Sequence, residues 1–174
     1  MVNRLTKRND RMISKTGSMK FLALATLLVG AAGALAQDEL RRTFFNGADA
    51  AREAADAVDA RLLAPRSYAA GVDDYEDAEA GLERGRNVEY VRRKANDAEE
   101  NFRTASAAAE LAHTVLAQVM KSRQDAANAR APELARDVWD KAQREFGNAI
   151  RYLERGDLKN AKKNDIEATT FYRD

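Results

Sequence analysis

Small apolar residues recur through the middle of the chain at alternating steps of three and four positions. They are Val88, Val91, Ala95, Ala98, Phe102, Ala105, Ala109, Ala112, Leu116 and Val119. This spacing averages 3.5 residues, so it places the whole set on one stripe of a helix. No proline or glycine occurs between Arg86 and Ala131. The pattern therefore predicts a single long central helix over about 87–130, roughly 65 Å in length at 1.5 Å per residue.

The same spacing predicts four more helices. The first, ahead of Pro65, presents Leu40, Phe44, Ala48, Ala51, Ala55, Val58 and Leu62. The second, ended by Gly85, presents Tyr68, Val72, Tyr75, Ala78 and Leu82. The fourth, opened by Pro132 and ended by Gly156, presents Ala135, Val138, Trp139, Ala142, Phe146, Ala149, Ile150 and Leu153. The fifth, capped by Asp157, presents Leu158, Ala161, Ala168 and Tyr172.

The fold class follows from these helices and from the short turns between them. Short connections make neighbouring helices antiparallel, and runs of β-branched residues that would indicate strands are absent from the sequence. The chain has no cysteine, so its stability depends on helix packing rather than on disulfides. We predict an all-α fold of antiparallel helical hairpins that form an elongated bundle around the long central helix.

Two stretches of the sequence are similar to each other. Ala64-Pro65 matches Ala131-Pro132, Leu-Glu-Arg-Gly at 82–85 recurs at 153–156, and Ala98, Phe102 and Arg103 match Ala168, Tyr172 and Arg173. The separations of these matches differ slightly, which indicates small insertions or deletions between the copies. The matches predict two repeats, over about 48–103 and 115–173, that stack and bury a shared core.

The central helix closes the first repeat and leads into the second. Each repeat is similar to a tetratricopeptide hairpin, although its first helix is longer than that motif allows.

The N-terminal region has the three parts of a secretory signal peptide, namely a basic flank, a short apolar run and small residues before a polar one. Lys20 is followed by an apolar run over 21–33 and then by Ala34-Leu35-Ala36, which precedes Gln37. We predict cleavage between Ala36 and Gln37. The apolar run is short for a membrane span, which needs ~20 residues, so no transmembrane span is expected after cleavage; a retained anchor is the alternative.

Cleavage divides the chain into an N-terminal extension and signal peptide, 1–36, and a single all-helical domain, 37–174. Translation starts at Met1 or at Met19, since Met19 begins a compact signal by itself. Residues 1–36 hold six basic residues and one acidic residue, which leaves 23 basic and 27 acidic residues in the mature domain, a net charge of −4. A mildly acidic domain has no general attraction for nucleic acid.

Residues that could perform catalysis or hold a cofactor are few. Glu110 and the only histidine, His113, form one Glu-x-x-His pair, whereas helical di-iron bundles use two such pairs and further carboxylates. Haem ligation by His113 and Met120 fails because both lie on the same helix. Neither a Gly-x-Ser-x-Gly turn nor a phosphate-binding loop occurs. We therefore predict no enzymatic activity, no cofactor and no metal site.

Clusters of charge occupy matching places in the two repeats. Arg92, Arg93 and Lys94 form one basic cluster, and Lys162 and Lys163 form the other. Such clusters are usually solvated helix surface that balances nearby acids. The functional alternative is a repeated basic patch that binds an acidic partner or an anionic wall polymer.

The second repeat carries a recognisable pattern: Ala-Pro at 131–132, a long helix, Leu-Glu-Arg-Gly-Asp-Leu at 153–158 and an alanine-rich return helix. It resembles an uncharacterised bacterial periplasmic alanine-rich helical domain that is often found beside OmpA-like peptidoglycan-binding modules. The first repeat matches less well because Arg86 follows Gly85 where that pattern has an aspartate. The resemblance implies a location in the Gram-negative envelope and no catalytic residues.

These observations predict an exported, non-enzymatic helical scaffold or spacer of the periplasm, near peptidoglycan or the outer membrane, with an envelope protein or peptidoglycan as its partner. A tetratricopeptide-like module that binds peptides or partner helices is the first alternative. A metal- or haem-loaded helical bundle is the second. Pairing of the long helix with a second copy of itself would give a homo-oligomer.

Overall fold

In a computed structural model of the chain, the structure describes the backbone of residues 20–174 and the side chains of residues 39–174. Every regular element in this part is an α-helix, and the helices form antiparallel hairpins, which confirms the predicted all-α fold. The elements are α1 Lys20–Ala57, α2 Ala60–Leu63, α3 Pro65–Glu83, α4 Val88–Val115, α5 Ala117–Asn128, α6 Ala131–Leu134, α7 Arg136–Glu154 and α8 Leu158–Arg173. The two hairpins are α3 with α4 and α7 with α8.

The chain divides into two units, one that ends at Leu40 and a compact one over Arg41–Asp174. The described part of the first unit is the N-terminal stretch of α1. The predicted start at Met1 or Met19 lies outside the described residues. The predicted cleavage site, Ala36 and Gln37, lies in the helical stretch whose side chains are likewise outside them.

The central helix is continuous except at one residue. Leu116 lies between α4 and α5 with φ −105° and ψ 15°, so the prediction of one unbroken helix is corrected there. The Leu116 N–H still donates to the Ala112 carbonyl at 2.8 Å, and the Met120 N–H donates to the Leu116 carbonyl at 3.0 Å. The distortion lies where the helix changes partner, since α4 packs on α3 and α5 packs on α8.

The predicted apolar stripe of the central helix is buried at all but its first position. Every member from Val91 to Val119 is at most 1% exposed. Val88 is 52% exposed, contrary to the prediction, because it is the first residue of α4 and lies beyond the end of α3. Alanine at most of these positions allows the helix backbones to approach closely.

The predicted apolar face of the first segment is correct in its middle and wrong at its ends. Ala48, Ala51 and Ala55 are buried, and Phe44 and Val58 are partly buried against the core. Leu40 and Leu62 are exposed, contrary to the prediction, whereas Phe45 and Leu63, which were not predicted, are buried. The error at Leu62 has a simple cause. The helix ends at Ala57 and the chain turns at Asp59 (φ 55°) into α2, which shifts the inward position by one residue.

Two other predicted core positions are wrong for related reasons. Leu158 is exposed because it is the first residue of α8, as Val88 is of α4. Ala135 is exposed and forms the break between α6 and α7, with φ −135° and ψ 47°. The N-cap assigned to Asp157 is confirmed, since its carboxylate accepts the Asn160 N–H at 3.1 Å.

Two stretches of the structure, 46–103 and 117–173, follow the same succession of backbone conformations; we call them the N-terminal half and the C-terminal half. In both, a helix leads through a short helical turn into a helix of 19 residues, a glycine with positive φ and a return helix. Gly85 corresponds to Gly156. The return helices begin at Val88 and Leu158, so the second turn is one position shorter after its glycine. The tetratricopeptide-like character of the repeats stays a prediction.

The structure corrects the predicted alignment of the prolines. When Gly85 is aligned with Gly156, Pro65, which opens α3, corresponds to Arg136, which opens α7. In the same alignment, Pro132 lies in α6 and corresponds to Arg61 in α2. The match of Ala64-Pro65 with Ala131-Pro132 is therefore coincidental, whereas the matches around the glycines and along the return helices describe the structure.

Each hairpin contains an equivalent aromatic pair that joins its two helices. Tyr68 meets the edge of Phe102 with ring centroids 5.4 Å apart, and Trp139 meets Tyr172 at 5.3 Å. The Phe102 ring lies directly on Gly71, where an added Cβ would be 2.8 Å from Cδ1 of the ring. Edge-on contacts of this kind add about 0.5–1.5 kcal/mol to the burial of the rings.

Candidate functional site

The predicted basic clusters lie near the start of the two return helices, α4 and α8, at equivalent positions. Arg92 and Arg93 correspond to Lys162 and Lys163, and all four are exposed. Arg92 pairs with Glu89 on its own helix, and Lys163 lies 3.9 Å from Glu167. These side chains are available to solvent, and their role as an interaction patch stays a prediction.

Lys94 differs from its neighbours because it belongs to the packing of the hairpin. Its Nζ lies 2.7 Å from Oδ1 of Asp74 and 2.9 Å from Oδ2 of Asp77, and its side chain is 23% exposed. The hydrogen bonds to these two carboxylates raise the pKa of Lys94, and the same ammonium lowers the pKa of Asp77. Lys94 therefore joins α4 to α3, and its counterpart Asn164 is a buried amide in α8.

His113 and Glu110 are exposed on the last turns of α4. The Nε2 atom of His113 lies 3.1 Å from the carbonyl oxygen of Val58, which ties α4 to the end of the first segment. Among the described residues, no three His, Cys, Asp or Glu side chains group closely enough to hold a metal ion. The contact that the structure gives the His113 ring is with the backbone.

Two pairs of adjacent acidic residues, Asp73-Asp74 and Glu99-Glu100, have different surroundings within each pair, because neighbouring positions on a helix point in different directions. Asp74 accepts hydrogen bonds from Lys94 and, at 2.9 Å, from Nδ2 of Asn101, whereas Asp73 is exposed. Glu99 pairs with Arg103, and Glu100 is exposed. These carboxylates are parts of helix surfaces and inter-helix ion pairs.

One carboxylate connects the two halves of the domain. Glu154, at the end of α7, accepts the Ser67 N–H at 3.1 Å and the Arg66 N–H at 3.4 Å. Both donors lie in the first turn of α3, whose own N-cap residue, Ala64, supplies no side-chain acceptor. A carboxylate at this place satisfies free amides and meets the positive end of the helix dipole. Local sequence pattern contains no sign of this contact because its partners are 87 and 88 residues apart.

Sequence reasoning also missed a depression in the C-terminal half. Two adjoining cavities flank the end of α8 and share Ala126 and Tyr172. We call the combined depression the end groove. Its lining is mixed and comes from α5, from α6 with the start of α7, and from the end of the chain. The small or apolar residues are Ser122, Ala126, Ala129, Ala131, Ala135, Val138, Trp139, Phe171 and Tyr172, and the polar or charged ones are Gln118, Lys121, Asp125, Arg173 and Asp174.

The end groove is open because no helix of the described residues covers it, not because of its residue types. Beside it, Leu134 is 74% exposed, whereas the corresponding Leu63 in the N-terminal half is 1% exposed. Ala135 is exposed and its counterpart Ala64 is buried. Aligning the halves on their glycines would have shown that identical residue types recur here, but not that one set is uncovered.

Within the part of the chain that the structure describes, no helix has the length and apolar character needed to cross a membrane. Comparison with known proteins gave no match to a family model, to a curated protein or to a solved structure. The resemblance to the periplasmic alanine-rich domain, and the association with OmpA-like modules that it implies, thus stay predictions.

Proposed function

We propose that the domain is a non-enzymatic helical scaffold or spacer that acts through its surfaces. The observation that supports this most directly is the shared central helix, which runs from one hairpin into the other with its helical hydrogen bonds maintained across Leu116. A helix of this length holds two similar hairpins at a fixed spacing. The small residues along it are buried in packing between helices, and Glu154 joins the two halves.

We further propose that the domain works in the periplasm of a Gram-negative envelope after export. The signal-like sequence up to Ala36 is the support. Expression of the full chain in a Gram-negative host should give a periplasmic product whose N-terminal residue is Gln37. Ala36→Arg should block this processing, because signal peptidase requires a small residue before the cut, whereas the matched Ala36→Ser should be processed. A full-length product of the unmodified chain in the cytoplasm would refute export.

The proposed partner is an anionic wall polymer or an envelope protein, bound through the exposed basic residues Arg92, Arg93, Lys162 and Lys163. Purified mature domain should sediment with peptidoglycan sacculi, and glutamine at these four positions should abolish sedimentation. The matched control replaces four exposed basic residues on and just after α7, Lys141, Arg144, Arg151 and Arg155. Equal loss in both variants would show nonspecific charge attraction, and no sedimentation of the unmodified domain would refute the peptidoglycan partner.

A module that binds partner helices or peptides is the second candidate function. The specific observation in its favour is the end groove, together with the exposed Leu134 next to Ala135 in its lining. A pull-down from envelope extract that recovers a specific protein in place of sacculi would favour this function over the spacer.

A further inference from the structure

The turn between α3 and α4 carries arginines whose setting has no equivalent in the C-terminal half. Arg84 is the C-cap of α3, Gly85 has φ 63°, and Arg86 follows it. The Arg86 N–H donates to the Gly81 carbonyl at 2.9 Å, and the Gly85 N–H donates to the Leu82 carbonyl at 3.1 Å. These bonds close the end of the helix, so they fix the backbone from which both arginine side chains extend.

The side chains of this turn gather around one aromatic ring. The guanidinium carbon of Arg86 lies 4.5 Å from the ring centroid of Tyr90, and that of Arg93 lies 5.6 Å from it. The ring itself lies on Gly81, where an added Cβ would be 2.9 Å from Cε1 of Tyr90. Cations that are already held on an aromatic ring lose little further side-chain freedom when they bind a ligand. We call Arg84, Arg86, Tyr90 and Arg93 the arginine tip.

The three arginines of the tip are exposed and take no part in ion pairs of the fold. Among the described residues, Arg84, Arg86 and Arg93 form no ion pair, whereas the neighbouring Arg92 pairs with Glu89. Their hydrogen-bond donors are therefore available to a ligand.

The carboxylate of Asp77 lies close to the tip but is bound by another cation. The Nζ atom of Lys94 is 2.9 Å from Oδ2 of Asp77. This hydrogen bond is the largest cause of the lowered pKa of Asp77, and the charges of Arg86 and Arg84 contribute less. The two guanidiniums thus act on Asp77 through space without pairing with it.

The equivalent turn of the C-terminal half has neither the ring nor the additional arginine. Asn87 and Asp157 are the N-caps of the two return helices, so Arg86 is the residue by which the first turn is longer. Asn160 stands in place of Tyr90 and donates from Nδ2 to Oδ2 of Asp157 at 2.6 Å. The basic cluster of α8 therefore lacks the aromatic ring on which the arginines of the first turn lie.

Guanidinium groups bind oxyanions in a way that lysines do not. Each guanidinium is planar, keeps its charge and offers parallel N–H donors that match two oxygens of a carboxylate or a phosphate. Lysine ammonium groups such as those of Lys162 and Lys163 act as point charges on flexible stems. The two basic clusters thus differ in chemistry although they lie at equivalent positions.

We propose that the arginine tip is the principal oxyanion-binding site of the domain, and that it takes a carboxylate or phosphate group of the anionic wall polymer. This proposal deepens the partner binding proposed above and rests on it. It adds Arg84 and Arg86 to the residues named there and gives the lysines of α8 a secondary role.

A polymer fits the arginine tip better than a lipid surface does. Within residues 83–93, Val88 is the only large hydrophobic side chain that is exposed. The Tyr90 ring is covered by guanidiniums and lies against Gly81, so it is not presented to a bilayer. Surfaces that dock on membranes bury several aromatic or aliphatic side chains among the headgroups.

The direct test needs no polymer. Sodium phosphate or sodium acetate is titrated at constant ionic strength into isotope-labelled mature domain, and the Nε–Hε signals of the arginines are followed by NMR. The signals of the arginine tip should shift together and saturate with a dissociation constant of about 1–10 mM. The signals of Arg144 and Arg155, which are exposed in the C-terminal half, should not saturate. No saturable shift at the tip with either anion would overturn the proposal.

A charge-conserving variant tests the requirement for guanidinium groups. Lysine at the three arginines of the tip keeps the charge but removes the planar donors, and should weaken sedimentation with sacculi about tenfold or more. The matched variant makes the same change at the exposed Arg144, Arg151 and Arg155 and should bind like the unmodified domain. Circular dichroism melts of both variants verify folding. Equal binding of the tip variant and the unmodified domain would overturn the proposal.

The aromatic ring has its own pair of variants. Tyr90→Leu keeps every charge of the tip but removes the ring, and should weaken the binding of phosphate because the guanidiniums lose their support. Tyr90→Phe keeps the ring and should bind phosphate like the unmodified domain. Equal binding by the two variants would overturn the aromatic support on which the proposal depends.

Amidation of the sacculus carboxylates separates the two sources of the oxyanion. Loss of sedimentation after amidation would support a carboxylate. Sedimentation that survives amidation but is abolished by inorganic phosphate would support a phosphate. Stronger binding to vesicles of phosphatidylglycerol and phosphatidylcholine than to sacculi, lost in the lysine variant of the tip, would overturn the proposal in favour of a membrane.

Failure of the arginine tip and failure of the wall partner are distinguishable. If the unmodified domain and the lysine variant of the tip sediment equally with sacculi, the tip is refuted and the wall partner is kept. If the tip signals saturate with phosphate or acetate but the unmodified domain does not sediment, the oxyanion site is supported and the peptidoglycan partner is refuted.

Discussion

The N-terminal and C-terminal halves are built alike but differ where each return helix passes the start of its hairpin. In the N-terminal half, the continuing α4 covers Leu63 and Ala64. In the C-terminal half, α8 ends and Leu134 and Ala135 are in contact with solvent. Because the residue types and the backbone conformations are the same, burial at these positions is decided by the neighbouring helix alone.

The interiors of the two halves also differ, but these differences change the exposure of equivalent residues less than the covering helix does. The Phe102 ring rests on Gly71, whereas the equivalent positions of the C-terminal half hold Tyr172 and Ala142. Near the other end of the hairpin, Gly81 accommodates Tyr90. There the C-terminal half has the opposite order, with Tyr152 on α7 and Asn160 on α8. Cores tolerate such exchanges when the total volume is kept.

The largest effect on stability is expected on α4, in the part of the central helix that connects the two halves. Ala109→Asp places a carboxylate on the completely buried face of α4, where an unpaired charge costs about 3–5 kcal/mol or more. Thermal melting followed by circular dichroism should show no cooperative transition. Ala107→Asp, at an exposed position on the same helix, is the control and should melt close to the unmodified domain. An unchanged melt for Ala109→Asp would mean that this face meets water.

The next effect compares the two equivalent rings. Phe102→Ala should lower the free energy of unfolding by ~3–5 kcal/mol, since the ring is completely buried. Tyr172→Ala should cost less because this ring lines the end groove and is 7% exposed, although the substitution also removes the hydrogen bond that its hydroxyl donates to Oε1 of Gln143 at 2.9 Å. Urea unfolding measures both. Equal losses, or no loss for Phe102→Ala, would contradict the difference between an enclosed ring and a ring at an open end.

The two equivalent leucines test the comparison most simply. Leu63→Ala should destabilise the domain by about 2–4 kcal/mol, whereas Leu134→Ala should stay within about 0.5 kcal/mol. The expected gap reflects the exposures of 1% and 74%. The measurement is again urea unfolding. A large loss for Leu134→Ala would show that its side chain is covered in solution, for instance by a second copy.

The smallest expected effect concerns a polar position of the C-terminal half. Oδ1 of Asp165 is buried without a hydrogen-bond partner among the described residues, and the equivalent position in the N-terminal half is Ala95. Burial raises the pKa of Asp165, although Lys162 opposes this shift. The folded state thus disfavours the ionised carboxylate, and stability falls as the pH rises from the unfolded pKa of about 4 through the raised value.

Asp165→Asn should therefore raise the melting temperature by about 2 °C at pH 7. At pH 3 it should change the melting temperature little, because the original carboxyl group and the amide that replaces it are both neutral. Asp73→Asn, at an exposed position of α3, is the matched control and should shift neither melt. A gain that is the same at both pH values would show that ionisation of Asp165 is not its cause.

The sequence predicted the helices and the central stripe well because both depend on local periodicity. Residues 91–119 of the stripe are buried as expected, since a long regular helix keeps its phase. The errors lie where a helix ends and the helical periodicity is interrupted. Leu62 was expected in the core, but the left-handed conformation at Asp59 changes the direction of the chain, and no residue pattern there predicts this conformation.

The candidate site depended less on local pattern and was predicted less well. The exposure of Arg92, Arg93, Lys162 and Lys163 follows from helix periodicity, but the inward ion pairs of Lys94 depend on how α4 sits against α3. The end groove and the Glu154 contact need the spatial relation of distant segments. Periodicity carries no information about that relation.

The continuity of the central helix across Leu116 also determines how the domain unfolds. Because the helical hydrogen bonds are maintained at Leu116 and Met120, α4 of one hairpin and α5, which packs on the other, form one hydrogen-bonded helix, and melting of either part frays the end of the other. Local damage in one hairpin thus propagates to the other, and the domain should lose structure in a single cooperative transition.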